Sequence, residues 1–184
     1  MEERIKPGQD VACICEGSSE VLVINMLLDR GALLFDRSQL LMEEPLGPRF
    51  FRSQDFFIDQ FLGMDFGEEG LALFVIQDRK NASYTIRRPY SEKVAYSRYV
   101  VTAPEIEMLM VHSCGLYTKY KKQKVKPSVF MAQHLKISGS KLKSREFIEK
   151  FYSDHDLEEA IREHKRKSVL DGKQMIFLAD LLKK

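Results

Sequence analysis

Asp10-Val-Ala-Cys-Ile-Cys-Glu16-Gly17-Ser18-Ser19-Glu20 is the stretch on which the fold is decided. Five apolar residues end on an acid, a glycine and two serines follow, and Val21, Leu22, Ile24, Leu27 and Leu28 then recur at helical spacing. This order predicts a strand over 10–16, a tight turn, and a helix capped by Ser18 or Ser19 that ends near Gly31. A second run, Leu71-Ala-Leu-Phe-Val-Ile-Gln77, lies between Gly70 and Asp78. Its unbroken apolar character fits a strand buried on both faces, as in parallel sheets covered by helices.

Working outward, short strands are expected at 33–35, 84–88 and 98–102. Helices are expected over 55–62, behind Ser53, and from Pro104 to about Cys114, with a loop at Pro45, Gly47 and Pro48 between the early elements. Beyond these the chain reads as helical, over 127–136, 144–152, 156–167 and 173–182. The expectation is an α/β fold with a mainly parallel central sheet flanked by helices. An α/β core would span 1–115, and a basic, helical C-terminal part, 116–184, would pack on the same domain. Ser138, Gly139 and Ser140 among lysines are the nearest thing to a linker.

A chain of 184 residues with 44% hydrophobic and 30% charged residues is ordinary for a globular domain. Its apolar runs are shorter than the roughly 18 residues a membrane span requires, and its first ten residues are charged rather than signal-like. A cytoplasmic protein with no membrane partner is expected. Cys13, Cys15 and Cys114 are an odd number, two of them inside a buried strand, so disulfides are not expected. The net charge of +2 hides an asymmetry: 17 Lys and Arg face 9 Asp and Glu from Val111 onward, against 12 and 18 before it. Such a division suits cation-binding carboxylates in one part and phosphate attraction in the other, or simply solvated helix faces.

Loops beyond the carboxyl ends of parallel strands are where α/β proteins gather functional groups. Glu16 ends the first strand, Glu20 lies one turn into the next helix, and Asp78 ends the long apolar strand. Carboxylates are the ligands that Mg²⁺ or Mn²⁺ prefers, and clustered acids without a cation raise one another's pKa. Equally, Glu20 could favour the helix dipole and Asp78 could cap a turn.

Glu16-Gly17-Ser18-Ser19-Glu20 after an apolar strand resembles the Glu-Gly-x-x-Glu opening of TOPRIM-like domains, especially the defence-associated nucleases of the RloB-like and OLD families. Asp78-Arg79-Lys80 stands where those families place an Asp-x-Asp pair, and Pro104-Glu-Ile-Glu107 is similar to the later Pro-x-Phe-Glu helix of RloB-like proteins. These motifs cover roughly residues 10 to 115. The resemblance implies that Glu16, Glu20 and Asp78 hold Mg²⁺ or Mn²⁺, that Glu107 is a fourth site residue or its support, and that the protein is a metal-dependent nuclease or related phosphodiester enzyme, a phage-defence component. Lys80 replaces the second acid of the pair. It could supply part of a second cation's charge or contact a phosphate, or mark a non-catalytic TOPRIM-like domain that binds nucleic acid or a partner ATPase.

The densest basic run carries Lys119, Lys121, Lys122, Lys124 and Lys126, with Tyr117 and Tyr120 interleaved. Lysines neutralise phosphates and tyrosines stack on unpaired bases, so the run suits nucleic-acid binding, with a solvated loop as the alternative. His112, His134, His155 and His164 lie on different expected helices, with no two at metal-binding helical spacing. Cys114 near His112 does not by itself make a nucleophile. Gly63-Met-Asp-Phe-Gly67 lacks the Lys and Ser/Thr of a P-loop, which disfavours a nucleotide triphosphatase.

Overall fold

Strands β1 (Val11–Cys15), β2 (Leu71–Gln77), β3 (Val94–Val101) and β4 (Met175–Phe177) pair in chain order into one sheet, and every pairing is parallel. The architecture is therefore α/β, an all-parallel sheet flanked by helices, in a computed structural model that describes residues 5–81, 84–170, 172 and 174–184. No helix among the described residues is long and apolar enough to cross a membrane.

β1 and β2 are buried along their full length because the sheet has a core on each face. Side chains alternate between the faces with the two-residue period of a strand. Cys13, Cys15, Phe74, Ile76 and Val100 enter one core, with helix α1 (Ser18–Asp29) and most of the later helices. Ala12, Ile14, Leu73, Val75 and Tyr99 enter the other, where α3 (Gln54–Phe61) packs Phe57, Ile58 and Phe61. The connecting chain passes between the faces around the outer edge of β1, where Leu40 and Leu46 bridge to Val11 and Ile14. Those bridges occupy backbone groups that an open edge would expose.

The long apolar strand lies at the predicted residues, and Ser53 caps α3 by accepting from Phe56 N. Helix α1 ends at Asp29, with Gly31 in the left-handed region behind it, but its N-cap is Gly17, with no side-chain cap. The expected strand at 33–35 reduces to one bridge between Leu33 and Leu182, and 84–88 forms no strand. Tyr84 is buried there, so its period-2 apolarity reports packing rather than pairing. Pro48, expected in a loop, instead opens the short helix α2 (Pro48–Arg52). Pro104 does not open a helix: the chain turns through 103–107 and α4 runs over Met108–Ser113, with Glu107 at its N-cap.

The last third is less purely helical than expected. Helices α5 (Tyr117–Lys121), α6 (Pro127–Leu135), α7 (Gly139–Leu142), α8 (Arg145–Asp154) and α9 (Leu157–Lys167) do form, with α7 replacing the supposed linker. The helix expected over 173–182 begins on a residue outside the described ones, and the rest of that segment forms β4 and a short 3-10 turn at Leu178–Leu181. Three residues are too few to show a period, and the parallel pairing of Ile176 with Val100 is a tertiary contact. The C-terminal part thus completes the sheet.

Candidate active site

The carboxyl ends of β1, β2 and β3 open onto one cleft of about 210 Å³, lined by Glu16, Glu20, Asp78, Glu105, Glu107, the 17–19 turn and Lys143. Sheet geometry explains the convergence. Glu16 and Asp78 each follow a strand directly, and Glu105 and Glu107 lie in the turn between β3 and α4. Parallel pairing brings those three ends to one edge.

Each acid is held differently. Glu16 Oε2 accepts the Asp78 backbone N–H at 3.1 Å, and Oε1 lies 3.2 Å from the Arg79 guanidinium. Arg79 also approaches Asp78 Oδ1 at 4.0 Å. Glu107, 4% exposed, has Oε1 3.4 Å from Lys143 Nζ and 3.5 Å from the Ser19 hydroxyl, which donates to it. Glu105 accepts Ser128 N–H at the start of α6 and lies 3.5 Å from Lys126 Nζ. Burial alone would raise its carboxyl, but the Ser128 hydrogen bonds with Lys143 and Lys126 hold it below the usual range.

Glu20 is the exception, because it is buried without a cation. Its side chain curls back over Gly17, so closely that a Cβ on Gly17 would lie 2.5 Å from Oε2. At a φ of −131° the backbone would accept any residue, so what the glycine leaves room for is this position of the Glu20 carboxyl. Burial pushes the Glu20 carboxyl up to about 7, and the negative charges of Glu107, Glu16 and Asp78 add to the rise. Near neutral pH the cleft therefore holds a carboxyl poised between its two forms.

No protein-family model, curated protein or solved structure matches the chain. The site must be judged on its own geometry.

All of Glu16, Glu20, Asp78 and Glu107 are in the cleft; Lys80 is not. Buried Gln77 donates to the Arg79 and Asn81 carbonyls at 2.8 and 2.7 Å, bending the loop so that Arg79 turns inward and Lys80 outward. Lys80 Nζ instead donates to the Val169 carbonyl at 3.1 Å on the exposed surface, away from the carboxylates that a catalytic Lys80 would face. Among the described residues, cations reach the acids from Arg79, Lys143 and Lys126. Lys143 lies 36 residues beyond Glu107 in a segment that read as a linker, and no local pattern could have found it.

As they stand, no three acids, histidines or cysteines among the described residues converge closely enough to hold a metal ion. Yet the donor chemistry fits a hard cation: five carboxylates line one cleft, and one of them, Glu20, has its pKa raised by burial and by its acidic neighbours. Arg79 and Lys143 stand as counter-charges, both on side chains at least half exposed or close to it.

The basic run is exposed at Lys119, Lys121, Lys122, Lys124 and Lys126. Its tyrosines, however, already have partners. Tyr117 stacks on His112 at 5.1 Å, and Tyr120 meets Phe130 edge-on at 5.4 Å, so the run offers charge and not the expected stacking platforms. Histidines that appeared scattered in sequence do pair in space, since His112 and His164 lie 5.5 Å apart between α4 and α9.

Proposed function

We propose that this chain is a TOPRIM-like, divalent-metal-dependent phosphodiester enzyme of the RloB-like and OLD kind, acting on nucleic acid in phage defence. The convergence of Glu16, Glu20, Asp78 and Glu107 on one cleft at the carboxyl edge of a parallel sheet is the observation that carries this reading. Glu16, Glu20 and Asp78 would hold Mg²⁺ or Mn²⁺, with Glu107 as support. A bound cation of this kind supplies Lewis-acid stabilisation of a phosphoryl oxygen and a more acidic water.

The chain's own residues supply the rest. Arg79 can swing from Glu16 to a phosphate, since its guanidinium is exposed and suited to two-point contact with phosphate oxygens. Lys143 neutralises Glu107 and can meet a second phosphate oxygen at the cleft mouth. Glu20, protonated in part near neutrality when no cation is bound, must give up that proton to hold one, which ties occupation of the site to pH.

A second reading keeps its place because of Lys80. The second acid of the expected pair is absent and its replacement faces away, which favours a non-catalytic TOPRIM-like domain that binds nucleic acid or a partner ATPase. Calorimetry with Mn²⁺ separates the two. Binding at sub-millimolar Mn²⁺ that weakens at least about tenfold in Glu16→Gln supports the enzyme, together with Mn²⁺-dependent cleavage of a nucleic acid. No binding by the wild-type protein at millimolar Mn²⁺ would leave the non-catalytic domain.

A further inference from the structure

Beside the acidic cleft, helices α6 and α7 bound a second and larger groove of about 610 Å³. Its floor is apolar: Val129, 42% exposed, with Ala132 and Ile137, which are anchored against the core behind them. Gln133 offers an amide on its wall, and Lys136 and Lys143 supply two ammonium groups. Among the described residues that line it, none is acidic.

The groove and the cleft are joined. Lys143 lines both, and Ser128, at the other end of the groove wall, gives its N–H to Glu105 in the cleft. A ligand with a flat apolar body, hydrogen-bonding edges and a phosphate matches this sequence of surfaces. A base inside a duplex is stacked on both faces and paired along one edge, and could not present a face to Val129 and Ile137.

We infer that the α6–α7 groove seats one unpaired nucleotide of a nucleic-acid strand, its base against Val129, Ala132 and Ile137 and its phosphate on Lys143 at the entrance to the acidic cleft. This rests on the phosphodiester reading of that cleft and adds to it the strandedness of the substrate. It also moves the principal contact away from the basic run at 119–126, whose tyrosines are engaged, to a surface that can cover the apolar face of a base and neutralise a phosphate.

Gly139 makes the groove testable, because a Cβ built on it meets no atom within 4 Å. Gly139→Leu should fill open space without disturbing the fold, and Val129→Asn puts an uncharged polar group on the floor of the groove. Fluorescence anisotropy in the presence of EDTA compares a short single strand, the same strand without bases, and a duplex. The wild-type protein should prefer the base-bearing single strand. Both variants should bind that strand about tenfold more weakly, the effect expected when the apolar contact of one base is lost, and should bind the abasic strand as the wild type does. Unchanged binding of the base-bearing strand, equal losses on both strands, or a wild-type preference for duplex would each overturn the inference. Mn²⁺ calorimetry on the same proteins, freed of EDTA, tells the two readings apart. Base-dependent losses without any Mn²⁺ site sink the enzyme and keep the groove, whereas a Mn²⁺ site abolished by Glu16→Gln alongside indifferent groove variants sinks the groove alone.

Discussion

Helix α4 carries a buried titratable group at each end, and the two ends are built on opposite plans. At its N-cap, Glu107 lies in an open cleft with four other carboxylates, and Lys143 reaches in from the turn behind α7 to balance it. In its last turn, His112 is enclosed: Tyr117 stacks on it, His164 of α9 packs edge-on, and Phe177 closes over His164 at 6.1 Å. Both nitrogens of His112 and Nδ1 of His164 have no hydrogen-bond partner among the described residues. Both ends bury charge-capable groups, but only the first is open to a ligand and provided with exchangeable cations. The histidine end is packing that tolerates neutral imidazoles, and burial lowers both of them, His164 to about 4.

The same cause, burial, therefore moves Glu20 up and His164 down, and stability should respond to pH with opposite signs at the two sites. A neutral His164 favours the folded state where the unfolded chain would be protonated. Its contribution is full above about 6.5 and is lost as pH falls through about 4. Glu20, neutral in the fold at pH values where the unfolded chain would be ionised, contributes fully below about 4.5 and loses that contribution as pH rises through about 7. Each amounts to about 3 kcal/mol at most, so the two nearly cancel in the metal-free wild-type protein. Removing either exposes the other. Glu20→Gln should be destabilised by acid between pH 6.5 and 4, and His164→Leu should be destabilised as pH rises from 4.5 to 7. Urea midpoints at a series of pH values read both, and parallel slopes in the two variants would abolish the contrast.

A divalent cation sharpens it further. A cation bound by the carboxylates requires ionised Glu20, so Mn²⁺ affinity in the wild-type protein should rise with pH up to about 7 and then level off. In Glu20→Gln the rise should disappear, while His164→Leu should keep it. Gly17→Ala gives a smaller effect of the same kind. Its new Cβ would displace the Glu20 carboxyl toward solvent, at a stability cost of under about 1 kcal/mol because a flexible side chain yields. The pH at which Mn²⁺ affinity levels off should then fall; a level-off unmoved from about 7 would show that the close approach does not hold Glu20 in place.

The open end of this comparison was more legible in the sequence than the closed one. Glu16, Glu20 and Asp78 each follow a run whose strand character is local, and parallel pairing then carries them to one edge. Glu107 could be reached only through a family resemblance, and its element was misjudged, since Pro104 precedes a turn and not a helix. Lys143, Glu105, β4 and the His112–His164 contact were invisible for a common reason. Each is created by packing between segments far apart in the chain, and none leaves a period or spacing behind it. Lys80 shows the converse case: position beside Asp78 suggested that it could face the acids, and the Gln77 clamp gives that position to Arg79.

Arg79 and Lys80 provide the smallest and most local of the tests. Adjacent cations on one loop, they differ in what they face: Arg79 holds Glu16 at 3.2 Å, and Lys80 holds the Val169 carbonyl on an exposed surface. Where Arg79 competes with a metal ion for Glu16, Arg79→Ala should strengthen Mn²⁺ binding a few-fold while weakening the binding of a phosphate-bearing strand, because one cation leaves the cleft and another takes its ligand. Lys80→Ala should leave Mn²⁺ binding unchanged, with the stability curve shifted only slightly, since the lysine is one of the charges that hold His164 below its ordinary range. Calorimetry and a pH series on both variants suffice. A large loss of Mn²⁺ binding in Lys80→Ala alone would reverse the assignment and return Lys80 to the carboxylates, with the loop in a conformation that Gln77 does not permit here.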